Sequence, residues 1–187
     1  MGARALFAAA LLAASCSDKA TPREPDEYTG CGSDEHWRTF DDQESVAKAD
    51  DSMSPVFTQP AAGALSPSPK PIFAWSQDPN DPGQNAGDVP YMGVGCNNCC
   101  PEFNTGALTS LHLPPISGNV YDLQFSVDGS VVHRVITTLQ EWGPSDSLWS
   151  SWKGKTISLR IWRMDLLHND VKAGPYTPTK PFTFSEK

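Results

Sequence analysis

The sequence lacks a long hydrophobic run and an excess of positive charge. Its longest apolar stretch, residues 5–14, is about half the ~20 residues that a membrane-spanning helix needs. The chain has 22 Asp and Glu against 14 Lys and Arg, a formal charge of −8. This charge argues against nucleic acid and anionic membrane surfaces as electrostatic partners.

The sequence also lacks familiar catalytic motifs. Neither G-x-S-x-G nor H-E-x-x-H occurs, and the GKT at 154–156 is no phosphate loop because Trp149 stands where that motif requires glycine. No spacing places a histidine beside a serine or an acid, and His133 is predicted to lie on a sheet surface. We therefore expect a non-enzymatic protein, with a small hydrolase as the enzymatic alternative.

The chain begins with the pattern of an export signal. Arg4 provides positive charge, residues 5–14 form an apolar core, and small residues 13–15 directly precede Cys16. The apolar core is too short to span a membrane, so residues 1–15 are predicted to be a signal peptide that is removed.

The triplet before Cys16 resembles the lipobox of Gram-negative bacterial lipoproteins, although Ala13 stands where that family prefers leucine. The resemblance implies that Cys16 is lipidated and becomes the new N-terminus. Because Ser17 rather than aspartate follows, it also implies delivery to the outer membrane, facing either the periplasm or the exterior. Cleavage without lipidation is the alternative.

Five cysteines leave one unpaired unless one is modified. Lipidation of Cys16 leaves Cys31, Cys96, Cys99 and Cys100, an even set in an oxidising compartment. A bond between the adjacent cysteines would be strained. Cys31 is therefore expected to pair with Cys99 or Cys100, and we favour Cys96–Cys99 with Cys31–Cys100.

Metal binding is the competing interpretation of the cysteine cluster, although no cofactor is the main expectation. Cys96, Cys99 and Cys100 could hold zinc or copper or act in redox chemistry, but no second half-site stands at ligand spacing. An irregular calcium site is a further alternative. Its oxygen ligands would be Asp78, Asn80, Asp81 and Asp88.

Residues 16–66 are acidic and then rich in proline, and they are predicted to form a disordered tether between the lipid and a folded domain. Within this segment, "EHWRTFDDQESVAKA" could form a short helix. Trp37 and Phe40, three residues apart, would then share one face.

Residues 67–187 have the alternation of β-strands. "PIFAWS", "TISLRIW" and "KPFTFS" each place apolar residues on one face, and "VYDLQFSVDGSVVHRVITTL" predicts a hairpin that turns at Asp128 and Gly129. Several short strands without a helical period between them favour an all-β, antiparallel β-sandwich.

The order of these segments resembles fibronectin type III and immunoglobulin-like domains: a Pro-led strand with Trp75, the strand "YDLQF", the long strand "ISLRIWRM" and a closing "PFTF". A departure from the family is the insertion at 77–106, which carries the cysteine cluster. The resemblance implies a domain that binds or scaffolds, with a protein or glycan as partner.

Three tryptophans in "EWGPSDSLWSSWKGK" allow two interpretations. If exposed, Trp142, Trp149 and Trp152 would form a stacking platform for sugar rings or an anchor for a protein partner. If buried, they would close one end of the sandwich. Trp75 and Trp162 lie within strand patterns and are expected to pack against the sheets.

Overall fold

Two β-sheets and a helix form three layers in the computed structural model, which describes residues 23–65, 68–77 and 115–186. Within those residues, eight strands form sheet A and three form sheet B. The strands of sheet A are β1 Glu27–Thr29, β2 Lys48–Ala49, β4 Gly63–Leu65, β6 Gly118–Val127, β7 Ser130–Thr137, β9 Thr156–Leu167, β10 Asp170–Thr177 and β11 Phe182–Glu186. Sheet B consists of β3 Val56–Gln59, β5 Phe73–Ser76 and β8 Glu141–Trp142. The helices are α1 Asp34–Gln43, a 3₁₀ turn Glu44–Val46, and α2 Asp146–Ser151.

The β6–β7 hairpin is confirmed. Asp128 and Gly129 join the strands with φ of 50° and 82°, as a two-residue type I′ turn requires. Leu123 and Phe125 are fully buried on the same face. Strict alternation thus located the centre of sheet A correctly, because β6 pairs with β7 on one side and β9 on the other.

The predicted strands in β5, β9 and β11 are also confirmed. Ile157, Leu159 and Ile161 point from sheet A into a core shared with Phe73 and Trp75 of sheet B. Phe182 and Phe184 of β11 border the same core. The two sheets therefore pack face to face, as the two-layer expectation required.

Part of the opposite face of sheet A is covered by α1. Trp37 and Phe40 pack there against Val120, Met164 and Leu166. The short helix predicted from the spacing of the two aromatic residues is confirmed. Sheet A consequently has apolar groups on both faces, unlike a sandwich sheet with one face in solvent.

The tether prediction is wrong for residues 23–65. In this segment α1 packs on sheet A, and β1, β2 and β4 extend sheet A by pairing with β7, β10 and β11. Backbone groups make these pairings, so short strands without apolar alternation can join an exposed sheet edge. Residues 16–22 and 66 lie outside the described residues.

The expected all-antiparallel arrangement also needs correction. The hairpins are antiparallel, but the pairings of β1, β2 and β4 are parallel, which makes sheet A mixed. Each of these strands comes from the N-terminal segment and pairs with a distant part of the chain, so no hairpin constrains its direction. Apart from Gln77, the predicted insertion at 77–106 lies outside the described residues.

Candidate functional site

The three tryptophans proposed as a stacking platform are buried. Trp142, Trp149 and Trp152 are 4%, 4% and 2% exposed. Trp152 stacks on Phe125 with ring centroids 5.0 Å apart, and Trp149 stacks on Phe184 at 6.1 Å. The platform prediction is therefore wrong, and the prediction that the three tryptophans are buried in the core is confirmed.

Helix α2 explains this burial. Ser145 caps it by accepting a hydrogen bond from the Leu148 N–H, and the short helix turns Trp149 and the following Trp152 back onto the core. Of the two tryptophans expected to pack on the sheets, Trp75 is in the shared core, and Trp162 packs partly buried beside α1.

Most predicted sulfur and calcium ligands lie outside the described residues. Cys31 is buried and disulfide-bonded. Its pairing with the 96–100 cluster stays a prediction, because Cys96, Cys99 and Cys100 lie outside the described residues. Cys16, the predicted lipidation site, also lies outside the described residues. So do the four predicted calcium ligands, Asp78, Asn80, Asp81 and Asp88. Within the described ranges, no group of three His, Cys, Asp or Glu residues could hold a metal.

A largely apolar groove of ≈ 520 Å³ opens between β3 and the segment that enters β11. We call it the edge groove. It is lined by Asp51, Ser54, Pro55, Val56, Phe57, Ala62, Pro178, Lys180, Pro181, Phe182 and Thr183. The sequence pattern alone did not reveal it, because its two walls come from segments more than a hundred positions apart.

The floor of the edge groove is aromatic. The rings of Phe57 and Phe182 lie 4.8 Å apart, and Phe57 also meets Trp75 edge to face at 6.3 Å. Pro178 and Pro181 stand in the opposite wall, where they offer ring surface without a backbone N–H. The groove therefore favours an apolar side chain over a sugar, whose hydroxyl groups would find few partners.

The rim of the edge groove carries two charged residues with different roles. The Asp51 carboxylate accepts hydrogen bonds from the backbone N–H and the hydroxyl of Thr179, both at 2.8 Å. These bonds, the backbone one foremost, lower the pKa of Asp51. The charge of Lys180 also lowers the pKa of Asp51, but Lys180 makes no ion pair with any described residue, so a closer acidic group of a partner could pair with it.

Strand β3 forms the open side of the groove. Within the described part of the chain it pairs only with β5, which leaves its outer backbone edge unpaired. Val56 at its start is 37% exposed. An extended chain could therefore hydrogen-bond to β3 and place alternate side chains in the groove.

A second polar cluster surrounds His133. Its Nδ1 lies 3.6 Å from Asp26 Oδ2, and its Nε2 lies 3.7 Å from Glu27 Oε2. Glu27 also accepts a hydrogen bond from Trp142 Nε1 at 3.2 Å. Burial lowers the pKa of His133, and the two carboxylates oppose that shift.

The surface position predicted for His133 is therefore wrong. The residue is 9% exposed because Phe125, Trp142 and Trp152 surround its ring and the β1 segment covers it. Sequence reasoning missed this cluster because Asp26 and Glu27 lie in the segment assigned to the tether.

A buried ion pair lies on the α1 side of sheet A. The side chains of Asp122 and Arg134 are 1% and 8% exposed, and Arg134 Nη2 lies 2.6 Å from Asp122 Oδ2. Arg134 Nε adds bonds of 3.0 and 3.1 Å to the same carboxylate. Burial opposes the charge on Arg134, but the bonds and charge of Asp122 together raise its pKa.

Comparison of the chain with family models, curated proteins and solved structures finds no match. No helix in the described ranges has the length and apolar character needed to cross a membrane.

Proposed function

We propose that this chain is an exported, lipid-anchored protein of the bacterial cell envelope. Its β-domain acts as a non-enzymatic binding module in the manner of immunoglobulin-like and fibronectin type III sandwiches. The module binds an extended segment of a partner protein at the edge groove. The observation that carries this proposal is the apolar groove beside the edge of β3 that pairs with no described strand.

The groove favours a protein over a glycan. Sugar binding would use exposed aromatic rings as stacking surfaces, and Trp142, Trp149 and Trp152 are all buried. The apolar floor and the β3 edge, which is free of pairing within the described ranges, instead match a peptide in extended conformation, whose alternate side chains point to one side.

Two kinds of contact are needed for measurable affinity. A large apolar side chain moved fully from water into the groove contributes roughly 1.5–3 kcal/mol. Association itself costs an estimated 4–15 kcal/mol, so two such anchors, together roughly 3–6 kcal/mol, offset at most the lower part of that cost. Backbone pairing with β3 and an acidic residue near Lys180 supply the remainder and select the register of the peptide.

Selection of displayed peptides against the full chain tests the groove. We expect the recovered peptides to alternate apolar residues and to carry an acidic residue. Val56→Arg, which puts a charge at the groove, should weaken their binding about tenfold or more, equal to about 1.4 kcal/mol. Val46→Arg is the matched control, because Val46 is 54% exposed in the 3₁₀ turn outside the groove. Equal binding by both variants would contradict the proposal.

The lipid anchor is tested separately. Cys16→Ala should move the protein from the membrane fraction to the soluble fraction and abolish incorporation of labelled fatty acid. The substitution leaves the β-domain unchanged, so peptide binding should persist. The anchor is refuted if Cys16→Ala stays in the same fraction as the wild type and the wild type incorporates no labelled fatty acid. The groove proposal would remain intact.

A further inference from the structure

A polar cavity of ≈ 340 Å³ lies at the hairpin end of sheet A, distinct from the edge groove. We call it the hairpin cavity. It is lined by Gln124, Ser126, Gly129, Val131, Ser158 and Arg160. Its volume is within the range of small-molecule sites, which begin at roughly 300 Å³.

Strand register brings the polar lining together. Gln124 stands opposite Arg160, and Ser126 stands opposite Ser158, in the antiparallel pairing of β6 and β9. Cross-strand pairs of this kind have Cβ atoms about 4.5–5.5 Å apart. The four side chains therefore form a compact array on one face of the sheet.

The array has unused hydrogen-bonding capacity. Within the described residues, the side chains of Ser126, Ser158 and Arg160 make no hydrogen bond or ion pair, while Gln124 uses its amide N–H on Asp122 at 2.9 Å. A guanidinium offers five N–H donors. The cavity thus presents donors, two hydroxyls and one amide oxygen to whatever occupies it.

Arg160 brings a positive charge to the cavity although the chain is acidic overall. Among the described residues that line the cavity, Arg160 is the only one with an ionised side chain. Asp122 on β6 is already held by Arg134 at 2.6 Å. Asp128, in the turn beside Gly129, is not a lining residue, and within the described residues neither acid compensates Arg160 through an ion pair. A ligand with an anionic group would do so, and its hydroxyls could bond to the serines.

We propose that the hairpin cavity binds a small hydroxylated anion through Arg160, Ser126 and Ser158. Sugar phosphates and sugar acids have this chemistry: the phosphate or carboxylate pairs with the guanidinium, and the hydroxyls exchange hydrogen bonds with the serines and the Gln124 carbonyl. This site is independent of the peptide-binding proposal, because none of its lining residues lies in the edge groove.

Amide chemical-shift titration of the full chain tests the site with three probes: glucose 6-phosphate, gluconate and uncharged glucose. We expect the two anions to shift resonances of β6, the 128–129 turn and β9, with glucose binding at least about tenfold more weakly, as loss of a charge-assisted bond predicts. Comparison of the two anions distinguishes a phosphate from a carboxylate ligand.

Two variants separate the charge from the shape of the cavity. Arg160→Gln should weaken anion binding about tenfold, and Ser158→Val, which fills part of the cavity without changing its charge, should also weaken it. Arg38→Gln on α1 is the control, since it removes the same charge outside the cavity. The absence of local shifts with either anion, or equal weakening by Arg160→Gln and Arg38→Gln, would overturn the proposal.

Discussion

Replacement of Asp122 tests how the α1 side of sheet A is held together. Asp122→Leu removes the carboxylate that accepts three bonds from Arg134 and one from Gln124. The guanidinium of Arg134 then remains at a site where its side chain is only 8% exposed. Its other bond, to the Arg23 carbonyl at 2.9 Å, does not neutralise the charge.

The expected loss of stability is large because a buried charge loses its partner. Removing one partner of a buried ion pair lowers the free energy of unfolding by about 3–5 kcal/mol. Replacing both partners, as in Asp122→Leu with Arg134→Met, removes the uncompensated charge, and substitutions of this kind are often neutral or stabilising by about 1–4 kcal/mol. The double variant should therefore recover most of the stability lost by the single one.

An exposed ion pair in the same protein supplies the control. Asp34 and Arg38 on α1 lie 2.7 Å apart with side chains 57% and 70% exposed. Asp34→Leu should cost about 1 kcal/mol or less, since solvent screens such pairs and little coupling energy remains.

Urea unfolding followed by tryptophan fluorescence and circular dichroism measures these differences. The full double-mutant cycle requires the wild type, both single variants and the double variant. A loss below about 1 kcal/mol for Asp122→Leu, or a double variant no more stable than that single variant, would refute the reasoning. Such a result would mean that Arg134 reaches solvent or another acid when Asp122 is removed.

Two further predictions concern the packing of the N-terminal segment on sheet A, where it covers His133 and buries Phe40. Because burial lowers the pKa of His133, the unfolded chain binds a proton more readily than the folded chain, and the free energy of unfolding should fall as pH drops below about 6.5. His133→Gln should reduce this pH dependence in urea titrations at several pH values; an unchanged slope would contradict a buried, neutral imidazole. Phe40→Ala should cost about 3–5 kcal/mol because Phe40 is 2% exposed against sheet A, whereas exposed Val46→Ala should change stability little. Equal, negligible effects would restore the tether interpretation.

Local patterns in the sequence located the central strands because burial on one face imposes a two-residue period. The alternation in β6, the Asp128–Gly129 turn and the apolar faces of β9 and β11 were all readable in this way. The pairing of Trp37 with Phe40 likewise indicated α1. These features depend on neighbours within a few residues along the chain, so composition and spacing are sufficient to predict them.

The N-terminal segment could not be assigned in the same way. Its acidic composition is typical of a solvated linker, and β1, β2 and β4 are held by backbone bonds to strands far along the chain. Only the folded sheet provides the edges to which they pair, and this pairing also buries His133 beside Asp26 and Glu27.

The candidate sites were decided by tertiary structure for the same reason. Burial of Trp142, Trp149 and Trp152 removed the stacking platform, since a tryptophan-rich segment has the same sequence whether it faces solvent or core. The edge groove joins β3 to the start of β11, and the hairpin cavity joins facing positions of β6 and β9. By itself the sequence determined the central strands and their apolar faces; the long-range packing decided where the N-terminal strands pair and which polar and apolar side chains remained available to a ligand.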